Sequence, residues 1–441
     1  MIDSQISDRL RHLSKAQSGL SAQFSTVDGS VLVTGDREYI DFYSGAGTLN
    51  YGHHNVALQQ KLAHDVGRNG KLGVGARQAE ITRQFFNAVN RILLEPRSWS
   101  YQMQLAGPTG AGALELALQQ ARRITGRQNV ISFTQGFQGA SGQALAAAAR
   151  VFFRTVAGTS ALANTTFMPY DRCFGPDVDT MAHLEQLLES TTKTDDIPAA
   201  VVVETVLGQG GVNVLTWRWL KDLEALCRCH GILLIMDDTQ VGCGRTGRFF
   251  SFETADIRPD LIVLSKSLSG FGLPMSLLLS APALGLPAQQ SRCLWANKVD
   301  HELALLTATH ALDLYWSDTL FAEQIQRKEG LVRDWLENIV HSYPGYGLGA
   351  RGRGLIQGLV MSRYDGLAVH VARKAFEYGL LVETSGAQDD VLKLLPALTI
   401  DDSLLISGLE IIERSLAEVL KSQSVRVRSF RLDGRSANDA I

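Results

Sequence analysis

Two short apolar runs end in side chains able to do chemistry. Gly231-Ile-Leu-Leu-Ile-Met-Asp237 finishes on a carboxylate. Asp260-Leu-Ile-Val-Leu-Ser-Lys266 finishes on an amine, followed by the polar turn Ser267-Leu-Ser-Gly270. A lone lysine is normally a solvated surface charge. After four apolar residues at a strand end it sits where desolvation lowers its pKa and makes it a nucleophile. Buried parallel strands that bring an aspartate and a lysine to one sheet edge fit a pyridoxal phosphate (PLP) site. The lysine would hold the aldehyde as a Schiff base, and the aspartate would keep the pyridine nitrogen protonated so that the ring acts as an electron sink. Asp238 raises an alternative, an acid/base or metal-binding pair, but adjacent strand residues face opposite ways and only one of the two can enter the site.

Two further segments belong with this pair. Gly107-Pro-Thr-Gly110-Ala111-Gly112 leads into a helical pattern ending near Arg122 and Arg123. Glycines permit close backbone approach, and a helix start offers free N–H groups to a phosphate. The segment has no Lys-Ser/Thr of a nucleotide P-loop, and no dinucleotide fingerprint accompanies it. Phe137 follows the Val130–Phe133 run and could stack on a flat ring, although taken alone it reads better as a core phenylalanine. Cys227-Arg-Cys229-His230 lies in a helical pattern with none of the zinc spacings. With an odd, scattered set of five cysteines, the chain is expected to hold reduced thiols.

The elements that must position these residues alternate. Val130–Phe133, Ala199–Glu204, Ile232–Met236 and Leu261–Leu264 read as buried strands separated by amphipathic helices. Thr216 is an N-cap, Leu220, Leu223, Leu226 and Cys227 form a stripe, and Gly231 is the stop. Such units imply a mostly parallel sheet covered by helices, with its ligand beyond the carboxyl ends of the strands. A helical region from Ala304 to Leu336 leads to a C-terminal lobe with a strand in Gly354–Met361 and helices near Leu367–Tyr378 and Asp402–Leu420. At 441 residues, 45% hydrophobic and 20% charged, the chain has the composition of a globular protein of two lobes or more. A net charge of −3 makes no case for nucleic acid or an anionic membrane. No apolar run is long enough to span a bilayer, and with no apolar signal core at the start the expected location is cytoplasmic.

At this level of detail the chain resembles the class III aminotransferases of PLP fold type I, and within them it is most similar to diaminobutyrate–2-oxoglutarate aminotransferases. The resemblance runs from Tyr39 to Leu420. It rests on Asp41–His53, Gly107-Pro-Thr-Gly110, Met168-Pro-Tyr-Asp171, Asp237–Gly247, Phe250-Ser-Phe-Glu253, Leu264–Gly270 and Arg351-Gly-Arg-Gly354. It implies an α/β fold: a large domain with a mostly parallel sheet (61–325) and a small α+β domain from both chain ends (1–60 and 326–422), with 423–441 a polar, Arg-rich tail. It also implies a homodimer with active sites at the subunit interface.

By the same resemblance Lys266 is the Schiff-base lysine, Asp237 the partner of the pyridine nitrogen and Gln240 the neighbour of the phenolic oxygen. Gly110 and Ala111 hold the phosphate-loop positions, and Phe137, followed by Gln138, the ring-stacking position. Lys393 stands where many relatives have a substrate-carboxylate arginine, and Tyr51 and Gln209 fall at substrate-binding positions. The chain departs from the family pattern around this site. Ala111 replaces a hydroxyl residue, Gln138 a histidine, and Gln209 the glutamate of Gly-Glu-Gly-Gly. Asn297-Lys-Val-Asp-His301 replaces the segment whose threonine reaches the neighbouring subunit's phosphate, which makes Asn297 the candidate donor there. The implied reaction is transamination between a diaminobutyrate- or glutamate-like amino donor and a 2-oxo acid. The departures keep two alternatives open: β/γ-elimination–replacement or annulation on an amino acid with a γ-leaving group, such as S-adenosylmethionine, and a non-catalytic PLP-binding scaffold.

Overall fold

The computed structural model describes residues 24–69, 75–139, 142–148, 164–191, 197–285 and 302–422. The expectations that rest on Asn297, its neighbours to His301 and the 423–441 tail lie outside the described residues.

Near the amino end, β1 (Thr26–Asp28), β2 (Val31–Thr34) and β3 (Arg37–Asp41) form an antiparallel meander. The central sheet follows, with β4 (Gln102–Leu105), β5 (Val130–Phe133), β6 (Thr165–Met168) and β7 (Ala200–Val203). A two-stranded ribbon, β8 (Val206–Leu207) and β9 (Asn213–Val214), interrupts the series. β10 (Leu233–Asp237), β11 (Leu261–Leu264) and β12 (Leu277–Ser280) complete the sheet in the order β4-β12-β11-β10-β7-β5-β6. β12 runs antiparallel to both of its neighbours, and the pairs from β11 through β6 are parallel.

Alternation decides the faces of this sheet. Ile131, Val201, Val203, Leu234, Met236, Ile262 and Leu264 join the large core. Val130, Ala200, Val202, Ile235, Leu261 and Val263 turn the other way, against the Gly110–Thr125 helix. Because both faces are covered, the strands read as unbroken apolar runs. The Trp217–Cys229 helix is capped as expected, the Thr216 hydroxyl accepting from the Trp219 N–H. Gly231, two residues past its end, has φ +59°.

The carboxyl-terminal part adds β13 (Gly349–Arg353), β14 (Ile356–Val360), β15 (Leu380–Leu381), β16 (Glu383–Ser385) and β17 (Val391–Leu394). Four of them form an antiparallel sheet, β13-β14-β17-β16, whereas β15 pairs with β3 and so ties the chain's two ends together. The helical region expected from Ala304 to Leu336 is two helices, Glu302–Tyr315 and Leu320–Ser342. They part at Trp316–Thr319, where Ser317 Oγ donates to the Asp313 carbonyl and Asp318 Oδ1 accepts from the Leu320 N–H. Side chains that satisfy backbone groups locally compete with the helix ladder.

Candidate active site

Parity along the strands builds the site. Asp237 lies two residues beyond Ile235 and so shares the face that packs on the Gly110–Thr125 helix. Glu204 stands in the same relation to Val202 on β7, whose register with β10 places Ile235 beside Val202. Two buried carboxylates therefore sit on neighbouring strands at one sheet edge. Burial pushes Glu204 up to about 8, with the charge of Asp237 adding to the shift. Burial also raises Asp237, while the hydroxyl and N–H of Thr239 pull the other way. Asp238 turns from this edge and accepts from the N–H and the hydroxyl of Ser251, so only Asp237 enters the site.

Lys266 stands at the end of β11 with φ +49°, a backbone region costly for a side chain other than glycine. Its Nζ donates to the Ala46 carbonyl at 3.0 Å, and Gln240 Nε2 donates to the same oxygen at 3.1 Å. Burial lowers the lysine to about 8; the positive charge of Lys393 adds to this, and Glu383, Glu204 and Asp237 oppose it.

These groups open on a cavity of about 400 Å³. Its walls include Gly110, Ala111, Phe137, Gln138, Gln209, Asp237, Gln240 and Lys266. Thr109 caps the helix start by accepting from the Gly112 N–H, and a Cβ on Gly110 would lie 2.6 Å from the Thr239 methyl. The cradle there admits backbone only. Glu204 Oε1 accepts from the Phe137 N–H at 2.9 Å and from Gln138 Nε2 at 3.3 Å. Gln138 Oε1 is buried with no partner among the described residues.

Two candidates lie elsewhere. Tyr51 does not line the cavity: its ring stacks on Tyr315, and its hydroxyl accepts from Trp316 Nε1 at 2.7 Å. The aromatic residues that close the Glu302–Tyr315 helix pack around it in the core. Lys393 stands behind the cavity wall on β17, fully buried and 2.8 Å from Glu383 Oε1.

The donor set fits pyridoxal phosphate. Free N–H groups at a helix start suit a phosphate, a lysine with a lowered pKa suits an aldehyde, and a buried aspartate suits a protonated pyridine nitrogen. A class-III aminotransferase family model matches residues 17–416.

The chain belongs to the class III aminotransferases.

As a member it is an enzyme, a PLP-dependent transferase, and its fold is that of the family. It is 55% identical over 415 residues to a diaminobutyrate–2-oxoglutarate transaminase of Bordetella parapertussis, covering 93% of this chain and 94% of the relative. A transaminase of the same name from Vibrio cholerae is 44% identical, covering 90% of this chain and 95% of its own. Among solved structures, a Bacillus anthracis aminotransferase superposes with a TM-score of 0.81 at 19% identity, over 90% of this chain and 93% of its own.

Sequence reasoning missed Glu204, which lines the cavity, and Glu383, the carboxylate beside Lys393. Glu204 carried the same signal as Asp237, a carboxylate closing a buried strand. Glu383 carried none, because only strand pairing brings it to Lys393. No described helix is long and apolar enough to cross a membrane.

Proposed function

We propose that this aminotransferase moves the terminal amino group of 2,4-diaminobutyrate to a 2-oxo acid, with 2-oxoglutarate and glutamate as the second pair. The reading is carried by the 55% identity to a transaminase of that name, combined with Lys266 and Asp237 converging on one cavity.

The cofactor supplies an aldehyde and an electron-withdrawing ring. Lys266, as the neutral amine, would hold that aldehyde, and its Nζ is the group placed to take up and return a proton at the substrate carbon. Asp237 would hold positive charge at the ring nitrogen. Gly110 and Ala111 would offer N–H groups to the cofactor's phosphate, Gln240 would face its phenolic oxygen, and Phe137 would cover its ring. Gln138, tied to Glu204, fills the place beside it. Gln209 lines the substrate side with a neutral amide, and Lys393 takes the substrate carboxylate. The reading includes a homodimer in the cytoplasm, where the free thiols of Cys173, Cys227, Cys229 and Cys243 stay reduced.

Incubating the holoenzyme with diaminobutyrate and 2-oxoglutarate tests this. Glutamate should form in step with loss of the diamine. Deuterium entering the donor's β-carbon from solvent, with no glutamate formed, would overturn the proposal in favour of a replacement reaction, which the transaminase relatives do not favour.

A further inference from the structure

The inner face of the carboxyl-terminal sheet carries a polar cluster with spare bonding capacity. β16 and β17 pair with Glu383 opposite Lys393 and Ser385 opposite Val391, so Glu383, Ser385 and Lys393 share one face. Lys393 is fully buried and Ser385 is 1% exposed, whereas Glu383 stands on the edge strand and keeps 23% of its side-chain surface. Lys393 Nζ and Glu383 Oε1 are 2.8 Å apart, yet neither atom, nor Ser385 Oγ, makes a well-directed hydrogen bond among the described residues. An ammonium carries three donors, and leaving them unmade in the interior is costly. Such a cluster is built for a ligand.

Its position says which one. Val391, on the same face, packs with Val206, Val212 and Val241, which flank the Gly208–Gly211 turn and follow Gln240. The Gly386 N–H, just past Ser385, donates at 3.2 Å to the carbonyl of Gln209, which lines the cavity. The charges of both Lys393 and Glu383 are felt at Lys266.

We propose that Glu383, with Ser385, recognises the α-ammonium of the diamino acid while Lys393 takes its carboxylate, so that the cluster reads a zwitterionic head group and turns the terminal amine toward Lys266. This rests on the function proposed above and assigns its donor specificity. In diaminobutyrate reacting through its terminal carbon, and in glutamate or 2-oxoglutarate reacting through its α-carbon, the far carboxylate is the same number of bonds from the reacting carbon. One cation therefore serves both half-reactions. Only the diamino acid bears an ammonium on the carbon next to that carboxylate; glutamate and 2-oxoglutarate have a methylene there. Glu383 is thus the residue that tells the two substrates apart, and the neutral Gln209 leaves it as the anion for that task.

The test compares wild-type and Glu383→Gln holoenzymes in the two half-reactions separately, with diaminobutyrate and with 2-oxoglutarate. It includes 4-aminobutyrate, which has the carboxylate but no α-ammonium. A charge-assisted hydrogen bond is worth roughly 1.5–3 kcal/mol, or about 10–100-fold. Glu383→Gln should lower kcat/KM for diaminobutyrate by about that factor, mainly through KM. The 2-oxoglutarate half-reaction should stay within about threefold, and the wild-type preference over 4-aminobutyrate should disappear. Equal loss with all three substrates, or no loss, overturns the inference while leaving the proposed function standing. A wild-type enzyme inert toward diaminobutyrate sinks both. If Glu383→Gln does not fold, Ser385→Ala carries the same comparison, with a smaller selective loss expected and an unselective one overturning the assignment.

Discussion

Arg245 and Lys393 are both fully buried cations, and the protein treats them in opposite ways. Arg245 Nη1 donates to the carbonyls of Leu355 and Pro396, and Nη2 donates to Asn50 Oδ1 at 2.6 Å, leaving only Nε without a partner. It staples the Asn50 segment, the Val241–Gly247 turn and the carboxyl-terminal lobe together through neutral acceptors. Burial lowers it to about 9, with Asp41 opposing. Among the described residues, Lys393 has the Glu383 carboxylate beside it and no directed hydrogen bond. A cation whose bonds are made is a structural part; the ligand role proposed for Lys393 calls for one with bonds to spare.

Substitutions can break this contrast. Arg245→Met would strand three buried acceptors, each worth about 1–3 kcal/mol. The expected loss is on the order of 3–5 kcal/mol, a large share of a typical folding free energy, read as a fall in Tm or in soluble yield. Lys393→Met combined with Glu383→Leu replaces the whole ion pair with apolar chains, an exchange that is often neutral or stabilising. Its Tm should hold or rise, while KM for both diaminobutyrate and 2-oxoglutarate rises about 10–100-fold. A collapsed Tm with unchanged KM would reverse the roles assigned to the two cations.

Lys266, half-buried at the cavity, sharpens the contrast as a cation that reacts. Only its neutral form attacks the cofactor, and burial lowers its pKa to about 8. The rate at which cofactor-free enzyme captures pyridoxal phosphate should rise roughly tenfold per pH unit below about 8 and level off above it. A rise continuing toward the pKa of an ordinary lysine, followed by stopped-flow absorbance, would show that the amine is not desolvated. The smallest effect is expected at Tyr51. Tyr51→Phe leaves Trp316 Nε1 without its acceptor at a cost of about 1–2 kcal/mol. KM should not move; a shift in KM would return Tyr51 to the substrate site.

Much of the central sheet was legible because its strands are short, apolar and bounded by polar turns. Val130–Phe133 and Leu261–Leu264 have the bounds read from their composition. The parity of Asp237 and Asp238 needed only the period of a strand. The paired helices at Trp316–Thr319 were not legible as two, because both halves carry helical apolar patterns and the break depends on local capping by Asp318. The core packing of Tyr51 was not legible, because a motif records position in the chain and not the direction of a side chain.

The chain's own order of residues determined that a lysine and an aspartate would close adjacent buried strands behind a glycine-led helix, since local periodicity and composition dictate those elements. Tertiary structure decided the rest. Glu204 became a partner of Asp237 through the β7–β10 register. Ala46, far away in sequence, became the acceptor for both Lys266 and Gln240. Glu383 came to face Lys393 by cross-strand pairing. Each of these depends on which strands lie side by side and in what register, and that is settled by burial of the whole core.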